Sequence, residues 1–150
     1  MLTILIPTDG SDVSLDAVRH ALFLREHGQN ARYVLAHVSE PVHLYEVVLA
    51  PDVDVLHNAS QAAAEHALQP ARHLLETAGA EFSCEITTGD PAHELPTMAE
   101  RCGCDLIIVS TAGAGLLSNG RIGRVANALV HHATIPVTVV RRLEAAEAAD

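Results

Sequence analysis

Lysine and tryptophan are both missing from this 150-residue chain, and aromatic residues make up only 3% of it. Without lysine there is no Walker phosphate loop, which needs Gly-Lys-Ser/Thr. With so few rings, the core has to be assembled from Leu, Val, Ile and Ala, the usual material of layered strand-and-helix domains. Cysteine is scarce as well. Cys84, Cys102 and Cys104 are an odd count that builds no disulfide framework and suits a reducing compartment. Cys102-Gly103-Cys104 has one residue between its thiols, where a redox or zinc motif has two, and it fits the end of a helix. No stretch approaches the roughly 18 apolar residues of a membrane span. The opening "MLTILIPTDG" has no basic leader before its apolar run. A cytoplasmic protein with no membrane partner is therefore expected. Positive charge is also limited: nine arginines face 19 carboxylates, for a net charge of −10. That balance disfavours nucleic acid as a partner, because displacing counterions needs a basic face.

What is present is an ordinary globular composition, 49% apolar and 19% charged, in a length suited to one domain. Apolar runs of strand length at Leu2–Pro7, Tyr33–Val38, Phe82–Thr87, Leu106–Val109 and Ile135–Val140 alternate with helical patterns. Val13, Ala17, Ala21 and Leu24 mark the first helix, with Ser11 or Asp12 as its cap and a close near His27-Gly28. The second helix is expected from about Asn58 to Ala78, kinked or split at Pro70. Asp90 and Pro91 read as the N-cap and first residue of the third helix. Ile122, Val125, Ala126, Leu129 and Val130 mark the fourth. The 39–57 connection has no assigned structure. The pattern predicts an α/β domain over residues 1–143 with a tail at 144–150: an open, doubly wound, five-stranded parallel sheet with helices on both faces. If the chain winds outward through three strands and then returns, the strand order is 3-2-1-4-5.

That order makes strands 1 and 4 neighbours, and ligands of such sheets bind beyond the carboxyl ends of strands where the winding reverses. The loops meeting there are "PTDGSD" and "STAGAGLLSNGRIGR", which places Asp9 opposite Gly113. No carboxylate occurs between Asp105 and Glu144, whereas Arg121, Arg124, Arg141 and Arg142 do. Arg121 and Arg124 stand at the start of the fourth helix, whose free N–H groups favour an anion, and glycines permit close approach of the backbone. The same residues would also serve a flexible turn with solvated arginines, and both readings stand at this point. Gly113-Ala114-Gly115 lacks the third glycine of a dinucleotide fingerprint, Ser118 standing in its place. The ten histidines show no zinc spacing, and there is no G-x-S-x-G elbow. The last strand, "IPVTVVRR", is an apolar sheet edge suited to pairing with a second copy, unless the tail shields it.

Taken together, "ILIPTDGSDVSLDAVRHAL", "VLAHV", "GDPAHELPTMAERCGCDLIIVS" and "HHATIPVTVVR" resemble the universal stress protein family over nearly the whole chain. Its nucleotide-binding branch has a loop of Gly, two residues, Gly, nine residues, Gly, then Ser or Thr. Gly113 and Gly123 match with nine residues between them, while Ser110 replaces the first Gly and Arg124 the final Ser/Thr. The resemblance implies an ATP site, with Mg²⁺ arriving on the nucleotide. Pro7, Thr8 and Asp9 would lie near the nucleoside, and the Val38 backbone would face the adenine. Gly113 and the start of the fourth helix, with Gly123, Arg124 and Val125, would hold the phosphates, Arg121 and Arg124 replacing the lost hydroxyl. Ser110 would line the nucleotide site with a side chain where the family backbone approaches the ligand. Asp9 is suited to ribose hydroxyls, or else caps the first helix. The resemblance also implies a homodimer joined along residues 135–141, acting as a stress sensor or regulator with at most slow hydrolysis. The alternative is a member that binds no nucleotide and works through protein contacts. An ATP-using enzyme of the related pyrophosphatase type would need a glycine-rich cradle where Asp9 stands.

Overall fold

The structure is a computed structural model describing residues 1–40, 53–111 and 123–142. Gly113, Arg121, most of the 39–57 connection and the 144–150 tail lie outside the described residues. The strands are β1 (Leu2–Pro7), β2 (Ala31–Ser39), β3 (Phe82–Thr88), β4 (Leu106–Ser110) and β5 (Val137–Val140). The helices are α1 (Leu15–Glu26), α2 (Val53–Thr77), α3 (Pro91–Arg101) and α4 (Arg124–His132). All pairings are parallel and the order is β3-β2-β1-β4-β5.

Successive strand residues point to opposite faces, so a parallel sheet covered on both sides needs unbroken apolar runs. Ile4, Leu5 and Ile6 of β1 show the consequence, being fully buried in succession. Ile4, Ile6, Tyr33, Leu35 and Ile108 face a layer of Val18 and Ala21 from α1 with Leu68 and Leu75 from α2. Leu5, Val34, Ala36, Ile107 and Val109 face Leu95 and Met98 from α3 with Ala126 and Leu129 from α4. Each helix therefore contributes one apolar stripe, and the sheet separates two cores.

Several boundaries differ from those the sequence pattern predicts. α2 begins at Val53 and continues unbroken through Pro70. The carbonyl that Pro70 leaves without an N–H partner belongs to His66, on the exposed side of the helix, where water can serve it. α1 begins at Leu15, not Val13, because Ser11 and Asp12 are taken up in the preceding turn. α3 does begin on Pro91 after Asp90, although the Asp90 side chain makes no capping hydrogen bond. α4 begins at Arg124, after Gly123. β4 extends one residue further than expected and includes Ser110.

Candidate functional site

The chain leaves β1 through a tightly bonded turn. The Thr8 N–H donates to the Ala36 carbonyl at 2.8 Å, carrying the β1–β2 pairing past the strand end. The Ser14 hydroxyl donates to the Ser11 carbonyl at 2.8 Å, so the Thr8 hydroxyl is the donor in its 3.0 Å contact with Ser14 Oγ. Gly10 sits at φ +88 against α2, where an added Cβ would stand 3.0 Å from Ala67 Cα. Only glycine meets both demands. This backbone path presents Asp9 at the rim, with its Oδ1 accepting the Ser11 N–H at 2.9 Å. Asp9 thus closes its own turn and does not cap α1, whose N-cap is Ser14. Burial at the crevice pushes the Asp9 carboxyl up, but the Ser11 hydroxyl and N–H, with Ser14 behind them, outweigh it. The net position is below the usual carboxylate range, so Asp9 is an anionic acceptor at neutral pH.

β2 contributes His37, whose Nδ1 lies 2.9 Å from the Thr8 carbonyl. A carbonyl only accepts, so this nitrogen carries the proton and ties the end of β2 to the residue before Asp9. β4 contributes Ser110. Its hydroxyl accepts the Ala17 N–H at 2.8 Å and donates to the Ser14 carbonyl at 3.3 Å. Ala17 is in the first turn of α1, where N–H groups have no partner within the helix, and Ser110 supplies one from the neighbouring strand. The hydroxyl that replaces a glycine of the family pattern is thereby turned onto α1.

Beyond the strand ends, the first turns of α3 and α4 meet the crevice through Pro91, Gly123, Arg124 and Val125. Neither helix has a side-chain cap at its N-terminus. Arg124 Nη2 lies 3.3 Å from Asp90 Oδ1, so the pair joins the two helix starts across the mouth. At the start of α1, Arg142, which follows β5, holds Asp16 at 2.9 Å and Asp12 at 2.6 Å, with Arg19 on the same two carboxylates.

These elements enclose a cavity of about 610 Å³, within the range of small-molecule pockets. Pro7, Thr8, Asp9, Val38, Ser110, Gly123, Arg124 and Val125 all line it. They come together from the ends of β1, β2 and β4 and the start of α4. Ala36, Leu95 and Val109 give it an apolar floor, and Ser14, His37 and Glu40 line it as well. Nothing in the local pattern singles out His37, which reads as one more residue of a strand. Asp90 shows a cap signal but no sign of its ion pair with a residue 34 positions away.

The model of the universal stress protein family matches residues 1–141. The chain belongs to the universal stress protein family. A universal stress protein of Methanocaldococcus jannaschii, MJ0531, is 30% identical over 147 residues, covering 93% of this chain and 81% of that one. Among solved structures, hypothetical protein MJ0577 superposes with a TM-score of 0.77 at 26% identity, covering 95% of this chain and 97% of its own. A universal stress protein crystallised in complex with cAMP has a TM-score of 0.67 at 26% identity, covering 93% of this chain and 96% of its own. The parallel sheet and its 3-2-1-4-5 order are those of the family fold. Among the described residues, no helix is long and apolar enough to cross a membrane.

Proposed function

We propose that this chain binds an adenine nucleotide, ATP in the first instance, in the crevice between β1 and β4, and acts as a cytoplasmic homodimeric stress sensor or regulator. The observation that carries the reading is the convergence of Asp9, Val38, Ser110, Gly123, Arg124 and Val125 on one cavity of suitable size. The cAMP complex of a similar structure supports the ligand class. In this reading the base lies on the apolar floor near the Val38 backbone. Asp9, ionised at neutral pH, accepts hydrogen bonds from ribose hydroxyls. The phosphates extend toward the start of α4, where uncapped N–H groups and the Arg124 guanidinium favour an anion. Mg²⁺ would come with ATP and needs no dedicated protein site. The homodimer would join along 135–141, since β5 is an edge strand.

The test is to denature the purified protein and look for released nucleotide by chromatography at 260 nm, then to measure binding to the emptied protein. Stoichiometric release, or micromolar binding of added ATP, supports the reading. An empty protein that ignores ATP in equilibrium dialysis favours a member working through protein contacts alone. That second reading has its own support, because the Ser110 hydroxyl and Arg124 are already engaged by protein groups. Unchanged ATP affinity in Arg124→Ala would remove Arg124 from the phosphate site.

A further inference from the structure

The Arg124–Asp90 pair bears on which phosphate ligand the site accepts. Arg124 stands where the family pattern has a hydroxyl residue, and it extends from the start of α4 to the N-cap of α3. The contact is a single one at 3.3 Å, with the arginine side chain 77% and the aspartate 51% exposed. Pairs of this kind are weak, because water screens them and long side chains lose freedom. A phosphate offers the guanidinium two oxygens in a fork that matches its geometry, which makes a stronger contact. The partner that Arg124 holds is therefore readily exchanged for a phosphate, and the displaced Asp90 carboxylate is exposed enough to be hydrated.

Displacement does not remove the carboxylate. Asp90 stays fixed on the backbone at the start of α3, beside Pro91 in the cavity wall. A phosphate on Arg124 then sits a few ångströms from a second anion, in a crevice where Asp9 and Glu40 are also acidic. Asp90 acts on a phosphate twice, as competitor for Arg124 and as a like charge left alongside.

Resting on the nucleotide reading above, we infer that Asp90 is a specificity-determining residue that weakens binding in proportion to the phosphate charge of the nucleotide. The site then accepts a nucleoside monophosphate or phosphodiester more readily, relative to metal-free ATP, than the first turn of α4 alone would. The Asp90 carboxylate makes no capping hydrogen bond on α3, and Asn is an equally good N-cap, so neutralising it leaves the helix start intact.

The experiment is calorimetric titration of wild type and Asp90→Asn with adenosine, AMP and ATP, in EDTA to hold ATP free of metal. Asp90→Asn is expected to tighten AMP about threefold and ATP about tenfold, with the smallest change for adenosine. Both gains should fall away in 1 M salt, where the screening length is only ~3 Å. In parallel, ATP but not adenosine should shift the Asp90 carboxyl carbon resonance as its arginine leaves. If the three ligands bind wild type and Asp90→Asn equally, or if all three tighten by the same factor, the inference is wrong while nucleotide binding stands. If none binds either protein, the nucleotide reading falls and this inference with it. Asp90→Ser, also a good N-cap, repeats the series should Asp90→Asn fold poorly.

Discussion

Ser110 at the end of β4 holds the backbone N–H of Ala17 in the first turn of α1, at 2.8 Å and 93 residues away in sequence. The same hydroxyl reaches the Ser14 carbonyl, so the start of α1 is anchored to the strand that adjoins β1 at the crevice. The turn bearing Asp9 runs from the end of β1 to this anchored helix start.

Ser110→Ala should therefore lower stability by about 1–3 kcal/mol, the cost of a buried donor left unpaired, because the N–H of fully buried Ala17 loses its partner. Ser110→Gly restores the residue of the family pattern but adds backbone freedom in a strand, and should lose more. Urea denaturation gives the first number, and faster amide exchange at Ala17 ties it to this bond. Unchanged exchange there would show that another group supplies the acceptor.

Asp9→Asn separates the two roles open to this side chain. Asparagine keeps the turn, because its oxygen can still accept the Ser11 N–H. It removes the charge offered to ribose. Nucleotide affinity should fall roughly 10- to 100-fold, as expected for a hydrogen bond to a charged group, while the melting temperature at neutral pH falls only by the share of stability that the ionised carboxylate supplies. A large loss of stability with unchanged affinity would make Asp9 a turn residue only.

Gly10→Ala tests the path that presents Asp9. The residue combines φ +88 with a Cβ position 3.0 Å from Ala67 Cα in α2. Left-handed strain alone costs about 1–3 kcal/mol, and the helix cannot move away cheaply because Leu68 beside it is fully buried. The expected result is a drop in stability of that order together with weakened nucleotide binding, both measurable in one set of thermal shifts with and without ATP.

Cys104 gives a prediction in pH. Burial, then the neighbouring Cys102 and Asp105, push its thiol from 9.0 up to about 11. The folded state favours the neutral thiol, so its contribution to stability is intact below about pH 9 and is lost as pH rises toward 11. Iodoacetamide at pH 8 should leave Cys104 unmodified in the native protein and label it readily in urea, as read by peptide mass. Rapid native labelling at pH 8 would contradict the burial.

Asp9 gives the acid counterpart. Its pKa is lowered on folding, so its share of stability is present above the ordinary aspartate value and is lost as pH falls through the lower folded value. The acid limb of the urea midpoint should accordingly flatten in Asp9→Asn.

The layers of this protein can be read from the sequence because each depends on local periodicity. The "ILI" of "LTILIP" and the "LIIV" of "LIIVS" are apolar stretches that suit a sheet covered on both faces. The order 3-2-1-4-5 follows if the chain winds outward through three strands and then returns, as it does. Asp9 and Arg124 could be nominated because the loops after strands 1 and 4 share one crevice in that order, and Ser110 through the family loop pattern alone. Their partners could not be. Ser110 meets Ala17, Arg124 meets Asp90 and His37 meets Thr8 through contacts that have no trace in spacing. The continuation of α2 through Pro70 belongs with these, since local propensity argues for a break and only tertiary packing overrides it.

By itself, then, the sequence determined the succession of strands and helices along the chain, because side-chain periodicity is a property of short stretches. It also named the loops that meet for one winding of the sheet, which the structure has. Only the tertiary structure decided what each polar group in the crevice holds. A hydrogen bond or ion pair is set by distances of about 3 Å between residues far apart in the chain.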